Sequence, residues 1–501
     1  MLVMPPPNAQ HIAARDKIAA DLRRIVPPKN VISEESARRV YESDAFTAYS
    51  ELPLLVVLPE NVAQISQILS YCYEHDLKIV PRGAGTSLSG GSMPLKDGII
   101  LGLAKFNKIL EIDAANRLAV VQPGVTNLGI SQAVAHLGLY YAPDPSSQIA
   151  CSIGGNVAEN SGGVHCLKYG LTTNNILGLE MVLIDGTVMR IGGKHLDAGG
   201  YDLLGIMTGS EGLLGVVTEV TVRLLAKPIA AQALLLGFPS IEQAGKCVSA
   251  ILAEGIIPAG MELMDQLSVQ AIEAFLKVGY PTDVAALMIV EIDGTADEVA
   301  DLIGRCAAIA NSEGACSVQT SRNDAERLGF WAGRKAAFTA CGQLAPDYFT
   351  MDGSVPRRCL AEVLSRMKEL SDKYGLRVSN VFHAGDGNLH PLILYDSQDA
   401  DQLERAEQMG ADILRLCVEV GGCLTGEHGV GVEKRDLMPL MFNETDLAQQ
   451  MRLKCAFDPT GLLNPGKVFP QLARCAEHGA VHVHHHGRSD GNLRFPDLPR
   501  F

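Results

Sequence analysis

Residues Pro143 to Gly163 read PDPSSQIACSIGGNVAENSGG, and this stretch constrains the fold more than any other. It is almost free of large apolar side chains and carries the pair Gly154-Gly155, so it reads as a loop and not as a helix or a buried strand. Gly, Asn and Ser in such a run let the backbone approach a ligand and turn its N–H groups toward it. Upstream, Pro81 to Gly91 (PRGAGTSLSGG) repeats the pattern after a short apolar run, Leu77 to Val80. Two glycine-rich loops, each following a strand-like run, suit a phosphate-bearing cofactor held by backbone N–H groups. Neither is a Walker A loop, because no Gly-Lys-Ser/Thr follows, and neither is a clean G-x-G-x-x-G opening a helix.

A chain of 501 residues predicts two or three domains, and its 47% apolar and 20% charged composition is that of a globular protein with ample core. The net charge of −15 argues against a nucleic-acid partner and against docking on an anionic membrane. An anionic substrate must then be drawn in by a local basic site. No apolar run reaches the length of a membrane span, and MLVMPPPNAQ is not a secretion signal. The 12 cysteines contain no C-x-x-C pair and no ferredoxin-like run, which predicts reduced thiols in a cytoplasmic protein without an iron–sulfur cluster.

Along the chain, residues 1 to about 50 read as a helical and loop lead-in. Val56 to Leu58 is a strand, and Val62, Ile65, Ile68, Leu69 and Cys72 form one helical face. Ile109 to Asp113 and Leu118 to Val121 read as a hairpin, and Asn127 to Leu137 as a helix ended by Gly138. Asp185-Gly186 between Leu177–Ile184 and Thr187–Ile191 is a strong hairpin signal, and Leu213 to Leu225 is β-rich. Beyond Pro228, strand-like runs (Leu234 to Phe238, Ala285 to Glu291) alternate with helix-like ones (Ile241 to Glu254, Ala296 to Ala310). That texture predicts an α+β substrate domain, an antiparallel sheet with helices on one face.

Two histidine motifs carry the chemistry. His383-Ala-Gly-Asp-Gly-Asn-Leu-His390 has turn residues between strand-like arms, so a hairpin brings the two histidines together. The spacing is not H-E-x-x-H, which excludes a metalloprotease helix. Gly426-Glu427-His428-Gly429-Val430-Gly431 sets two ionisable residues between glycines in an apolar stretch, where burial without a partner is costly. Adjacent side chains are expected to diverge, so Glu427 and His428 would face different groups. His482, His484, His485 and His486 read as a surface cluster with adventitious metal affinity, and Cys151 and Cys166 as small packing residues.

These motifs, with TGSEGLLGVVTEV (Thr208 to Val220) and FDPTGLLNPGK (Phe457 to Lys467), resemble the vanillyl-alcohol oxidase / p-cresol methylhydroxylase flavoprotein superfamily. Within it, the chain from about Tyr41 onward resembles the FAD-linked subunits of bacterial glycolate oxidases, including the tail from Cys475. The resemblance implies an α+β protein: lead-in 1–50, two-lobed FAD-binding domain 51–228, substrate domain 229–420, a C-terminal return 421–470 and a tail 471–501. It implies an FAD site formed by Arg82, Gly83, Ala84, Gly85, Thr86, Ser87, Gly90, Asp144, Ser147, Ser152, Gly155, Asn156 and Asn160. Glu211, Gly215 and Val217 would complete the adenosine and ribitol side, and Asn464 would lie near the ring. Glu211 reads equally well as a helix N-terminal carboxylate. Thr86 stands where many relatives carry the histidine that bonds the flavin, so the FAD is expected to be non-covalent.

The resemblance also implies that His383, His390 and Glu427 ligate a divalent metal, zinc first and manganese or iron as alternatives, and that His428 is the general base. Arg334 would hold the substrate carboxylate, although as a helix arginine among Arg322, Arg327 and Lys335 it has a purely surface reading too. Asn388 would orient the substrate or simply form the turn. Relatives acting on longer diacids carry lysine where this chain has Thr350, which argues for a small monocarboxylate. The implied activity is metal-assisted dehydrogenation of a small 2-hydroxy acid, glycolate first and D-lactate next. The alternatives are a longer acid such as D-2-hydroxyglutarate, or a non-catalytic FAD-bearing scaffold. Implied partners are a second flavin-fold subunit and an iron–sulfur subunit, with the chain cytoplasmic and reaching the inner face of the membrane only through them.

Overall fold

The computed structural model describes residues 3–195 and 199–470, so the tail and its histidine cluster lie outside the described residues. Three sheets carry the architecture. The first orders Val31–Ile32, Leu55–Val57, Gly98–Gly102 and Lys78–Arg82, the last three mutually parallel. The lead-in thus contributes a strand as well as helices. The crossover Val62–Glu74 buries Ile65, Ile68, Leu69 and Cys72, and Asn61 caps it by accepting from Gln64 N. Its apolar stripe recurs at three and four residues, as a helix lying on a sheet requires.

The second sheet is antiparallel, in the order Ile109–Asp113, Leu118–Val121, Val216–Arg223, Ile176–Val182, Val188–Gly192. Both hairpins fall where the turn residues place them. Between its strands the central stretch departs from the loop expectation: Ile153–Glu159 is a short helix. Ser152 caps it by accepting from Gly155 N, and Asn160, at φ +53°, ends it. Burial of Ile153 and Val157 against the sheet outweighs the poor helix propensity of Gly154 and Gly155.

The third sheet has nine strands, all pairs antiparallel, with Ala230–Phe238, Ala286–Gly294, Gly260–Asp265 and Val378–His383 at its centre. Helices cover both faces, not one. Leu234, Leu236 and Phe238 pack with Val248, Ile303, Val363 and Ile413, whereas Ala233 and Leu235 pack with Ile272, Ala337 and Trp331. The alternation along one strand feeds two cores, which is why these strands read as unbroken apolar runs.

From residue 421 the chain returns to the first sheet. Leu463 bridges Ile79 in parallel, Asn464 N donates to Ile79 O at 2.7 Å, and Leu462 and Leu463 join the first core.

Candidate active site

The two glycine loops meet edge to edge. A Cβ on Gly83 would collide with Ser152 Oγ, so only glycine lets the loops close. Between them opens a cavity walled by Arg82 to Ser87, Ser147, Ser152, Gly155, Asn156, Glu211, Gly215 and Val217. At its far end the wall continues into Phe338, His390, Glu427 and His428.

Glu427 Oε1 is the focus of that end. It lies 3.1 Å from His390 Nε2 and 3.5 Å from both His383 Nε2 and His428 Nε2. The rings of His390 and His428 are stacked at 4.9 Å, and His383 meets His390 edge-on at 5.0 Å. Neither ring nitrogen of His390 makes a hydrogen bond among the described residues. Imidazoles and a carboxylate converging on one spot are the donor chemistry of a transition-metal ion with open positions, so these residues fit the implied metal.

Three anchors hold the cluster. His383 ends a strand and pairs with Asn388 across the hairpin, while its Nδ1 lies 2.6 Å from Glu262 Oε1. Glu262, fully buried, takes Arg334 Nε on its other oxygen at 2.7 Å. Asp352, also fully buried, accepts from Thr425 Oγ1 (2.6 Å), His428 N (2.8 Å), Glu427 N (3.1 Å) and Lys434 Nζ (3.1 Å). Glu211 accepts from Val430 N and Gly431 N, both at 2.7 Å. Asp352 and Glu211 thus grip the Gly426–Gly431 loop through its backbone from two sides. Curling consecutive N–H groups onto Asp352 turns the Glu427 and His428 side chains the same way, so they converge where divergence was expected. Asp352, His390 and His428 also approach as a possible metal triad. The four donors already on Asp352 make it an anchor.

The electrostatics follow from these contacts. Burial alone would raise the Glu427 pKa, but the three imidazoles hold it well below the usual carboxylate range. Burial alone would lower His383 and His428, but Glu262 beside the first and Asp352 and Glu427 beside the second raise both. Burial lowers His390. Asp352 is held low against its burial by His428, Lys434 and His390.

Several expected residues lie off the cavity wall. Arg334 is committed to Glu262, though its Nη2 has no hydrogen-bond partner among the described residues. Asn388 is buried against Gly426 with Oδ1 unpaired. Asp144 pairs with His165 Nδ1 at 2.8 Å. Asn160 accepts from Thr173 N, and Gly90 turns at φ +76° against Val432. Asn464 donates to Gly91 O and Glu211 O and accepts from Lys467, stapling the return segment to the first loop. Glu211 does not head a helix, because the next element after it is the strand Val216–Arg223. Thr350 is buried in a strand opposite Leu392, and Cys151 packs on Asn156. Glu262, Asp352, His165, Glu159 and Phe338 were not singled out from the sequence. The signal available for the first was a lone carboxylate in a buried strand.

Residues 53–192 match the family described as FAD binding domain, and residues 227–468 match FAD linked oxidases, C-terminal domain. The chain is 52% identical over 487 residues to "Glycolate oxidase subunit GlcD" of Escherichia coli (strain K12), covering 97% of each chain. The chain belongs to the FAD-linked oxidases. This FAD-linked oxidase is also 41% identical to the subunit of the same name from Bacillus subtilis (strain 168), covering 91% of this chain and 97% of that one. It is 36% identical to a D-lactate dehydrogenase of Archaeoglobus fulgidus, covering 83% and 92%. Its fold is that of p-cresol methylhydroxylase (TM-score 0.77, 18% identity, 93% of this chain and 98% of that one). The 4-ethylphenol oxidase from Gulosibacter chungangensis shares it as well (TM-score 0.79, 18% identity, 94% and 99%). Among the described residues no helix of this oxidase is long and apolar enough to cross a membrane.

Proposed function

We propose that this FAD-linked oxidase removes two electrons and two protons' worth of hydrogen from a small 2-hydroxy acid, glycolate before D-lactate, giving the 2-oxo acid. The observation that carries the reading is the single cavity wall running from the two glycine loops to His390, Glu427 and His428. The names of the relatives point to the same substrate class.

The two glycine loops would hold FAD, non-covalently with Thr86 in the first loop, and the flavin would supply the acceptor for the hydride equivalent leaving the substrate α-carbon. His383, His390 and Glu427 would hold a divalent metal, zinc or else manganese or iron, which would supply a lowered pKa for the substrate hydroxyl. His428 would take the hydroxyl proton at Nε2. Glu262 fixes the His383 ring through Nδ1, which leaves Nε2 directed at Glu427. Arg334 keeps Nη2 as a donor for the substrate carboxylate, and Asn388 keeps Oδ1 as an acceptor for the substrate hydroxyl. The same reading gives the domain limits 51–228, 229–420 and 421–470.

That two relatives are named as subunits supports reading this chain as one subunit of a larger enzyme; a second flavin-fold subunit and an iron–sulfur subunit would be its partners. It would be cytoplasmic and reach the membrane only through them.

An anaerobic visible spectrum before and after adding glycolate, D-lactate or D-2-hydroxyglutarate tests the reading. Bleaching by glycolate is the expected outcome, with about one equivalent of metal by elemental analysis. Preference for D-2-hydroxyglutarate would replace glycolate with a longer acid. No bleaching by any of them, with zinc or manganese supplied, would leave a flavin scaffold.

A further inference from the structure

We propose that Glu159 is a further functional residue, donating a hydrogen bond from its carboxyl group to the ring of bound FAD. The inference rests on the FAD reading of the cavity and is independent of the substrate. Glu159 ends the helix Ile153–Glu159 and lines the cavity where the first glycine loop faces the histidine end. A Cβ on Gly91 would stand 2.6 Å from its Oε1; one on Gly429 would collide with its Oε2 and come within 2.9 Å of Glu211 Oε1. Gly91 belongs to the first loop and Gly429 follows His428. The carboxyl therefore lies in the cavity wall between the first loop and the loop that carries His428, beside the path the ring would take from one to the other.

Its Oε2 is buried and has no hydrogen-bond partner among the described residues. A buried ionised oxygen left bare is costly, whereas a protonated one carries its own donor. The groups facing it are Glu211, Ser87, Asp44 and Lys434. Glu211 accepts from the N–H groups of Val430 and Gly431, which oppose the rise that burial gives its own pKa, and two negative charges side by side are disfavoured. Burial first, and then Glu211, hold the Glu159 carboxyl well above the usual range, although Ser87 and Lys434 oppose them. Reduction adds electron density to the ring, so a neutral donor stabilises the reduced cofactor and an ionised carboxylate would oppose it.

The test uses the FAD-loaded protein, its midpoint potential read by anaerobic dye titration, and infrared difference spectra on reduction. E159Q, a neutral donor of the same shape, is expected to keep the wild-type potential, and E159L to lower it. A protonated-carboxyl C=O band that shifts on reduction is expected in the wild type and absent from both variants. A raised potential in E159Q, an unchanged one in E159L, or no such band in the wild type overturns the proposal. If E159L retains no FAD, E159Q and the band decide. A wild-type chain that binds no FAD overturns the reading of the cavity itself.

Discussion

Replacing His428 with asparagine removes the proposed proton acceptor and leaves the glycine loops untouched. The variant is expected to bind FAD normally and to lose about 10²–10⁴-fold in the rate of glycolate-dependent bleaching, measured by stopped flow. Asp352→Asn acts differently, because it takes the nearer carboxylate, at 3.1 Å, from the fully buried Lys434 and leaves Glu433 at 3.5 Å. Breaking such a pair costs about 3–5 kcal/mol, to be read by urea denaturation, and the loop carrying Glu427 should loosen with it. The two residues differ as much in how visible they are in the sequence. His428 stands out between glycines. Asp352 sits in Met-Asp-Gly-Ser, where an aspartate before glycine reads as a turn, and its partners Thr425 and Lys434 are 73 and 82 residues away. Glu262 is hidden in the same way, 121 residues from His383. Arg334 was visible, but nothing local tells a buried arginine paired to a carboxylate from one facing a ligand.

At the scale of elements, the two loops close on each other where Gly83 meets Ser152. Gly83→Ala would drive a methyl group into Ser152 Oγ, costing about 1–3 kcal/mol of loop closure. Fluorescence quenching of added FAD should show it as roughly ten- to hundredfold weaker binding. The second loop is also tied across the molecule. His165 joins Asp144 at 2.8 Å to Glu291 on the large sheet at 3.6 Å, and Lys168 and Tyr169 join Asp293 beside it. Burial alone would lower the His165 pKa, but the two carboxylates raise it to about 10. Raised in the folded state, it contributes stability that is complete below the unfolded value of about 6.5 and lost as pH climbs toward 10. Melting temperature measured across that window should fall, and His165→Gln should flatten the fall. Turn chemistry made the hairpins legible, because Asp185-Gly186 needs only its own backbone. The helix Ile153–Glu159 was not, since its cause is a sheet assembled from strands far along the chain.

Among the described residues the cavity has walls from both the glycine loops and the returning segment, so ligand and fold are linked. FAD at about 100 times its dissociation constant should add roughly 2.7 kcal/mol. Calorimetry is expected to show the added stability on all three sheets in one transition; a flavin-sensitive and a flavin-insensitive transition would mean that the large sheet unfolds alone. The antiparallel texture beyond Pro228 was readable from runs of apolar residues. The covering of both faces of that sheet was not, because an unbroken apolar strand does not say what lies on either side.

Glu427 and His428 are carried by the segment that leaves the large sheet and runs back to Ile79, and Asp352 and Glu211 grip it from elements made earlier. During synthesis the glycine loops and the large sheet leave the ribosome before Glu427 and His428 do. On the proposed reading, a nascent chain has no means of withdrawing hydrogen from a metabolite until this segment is seated.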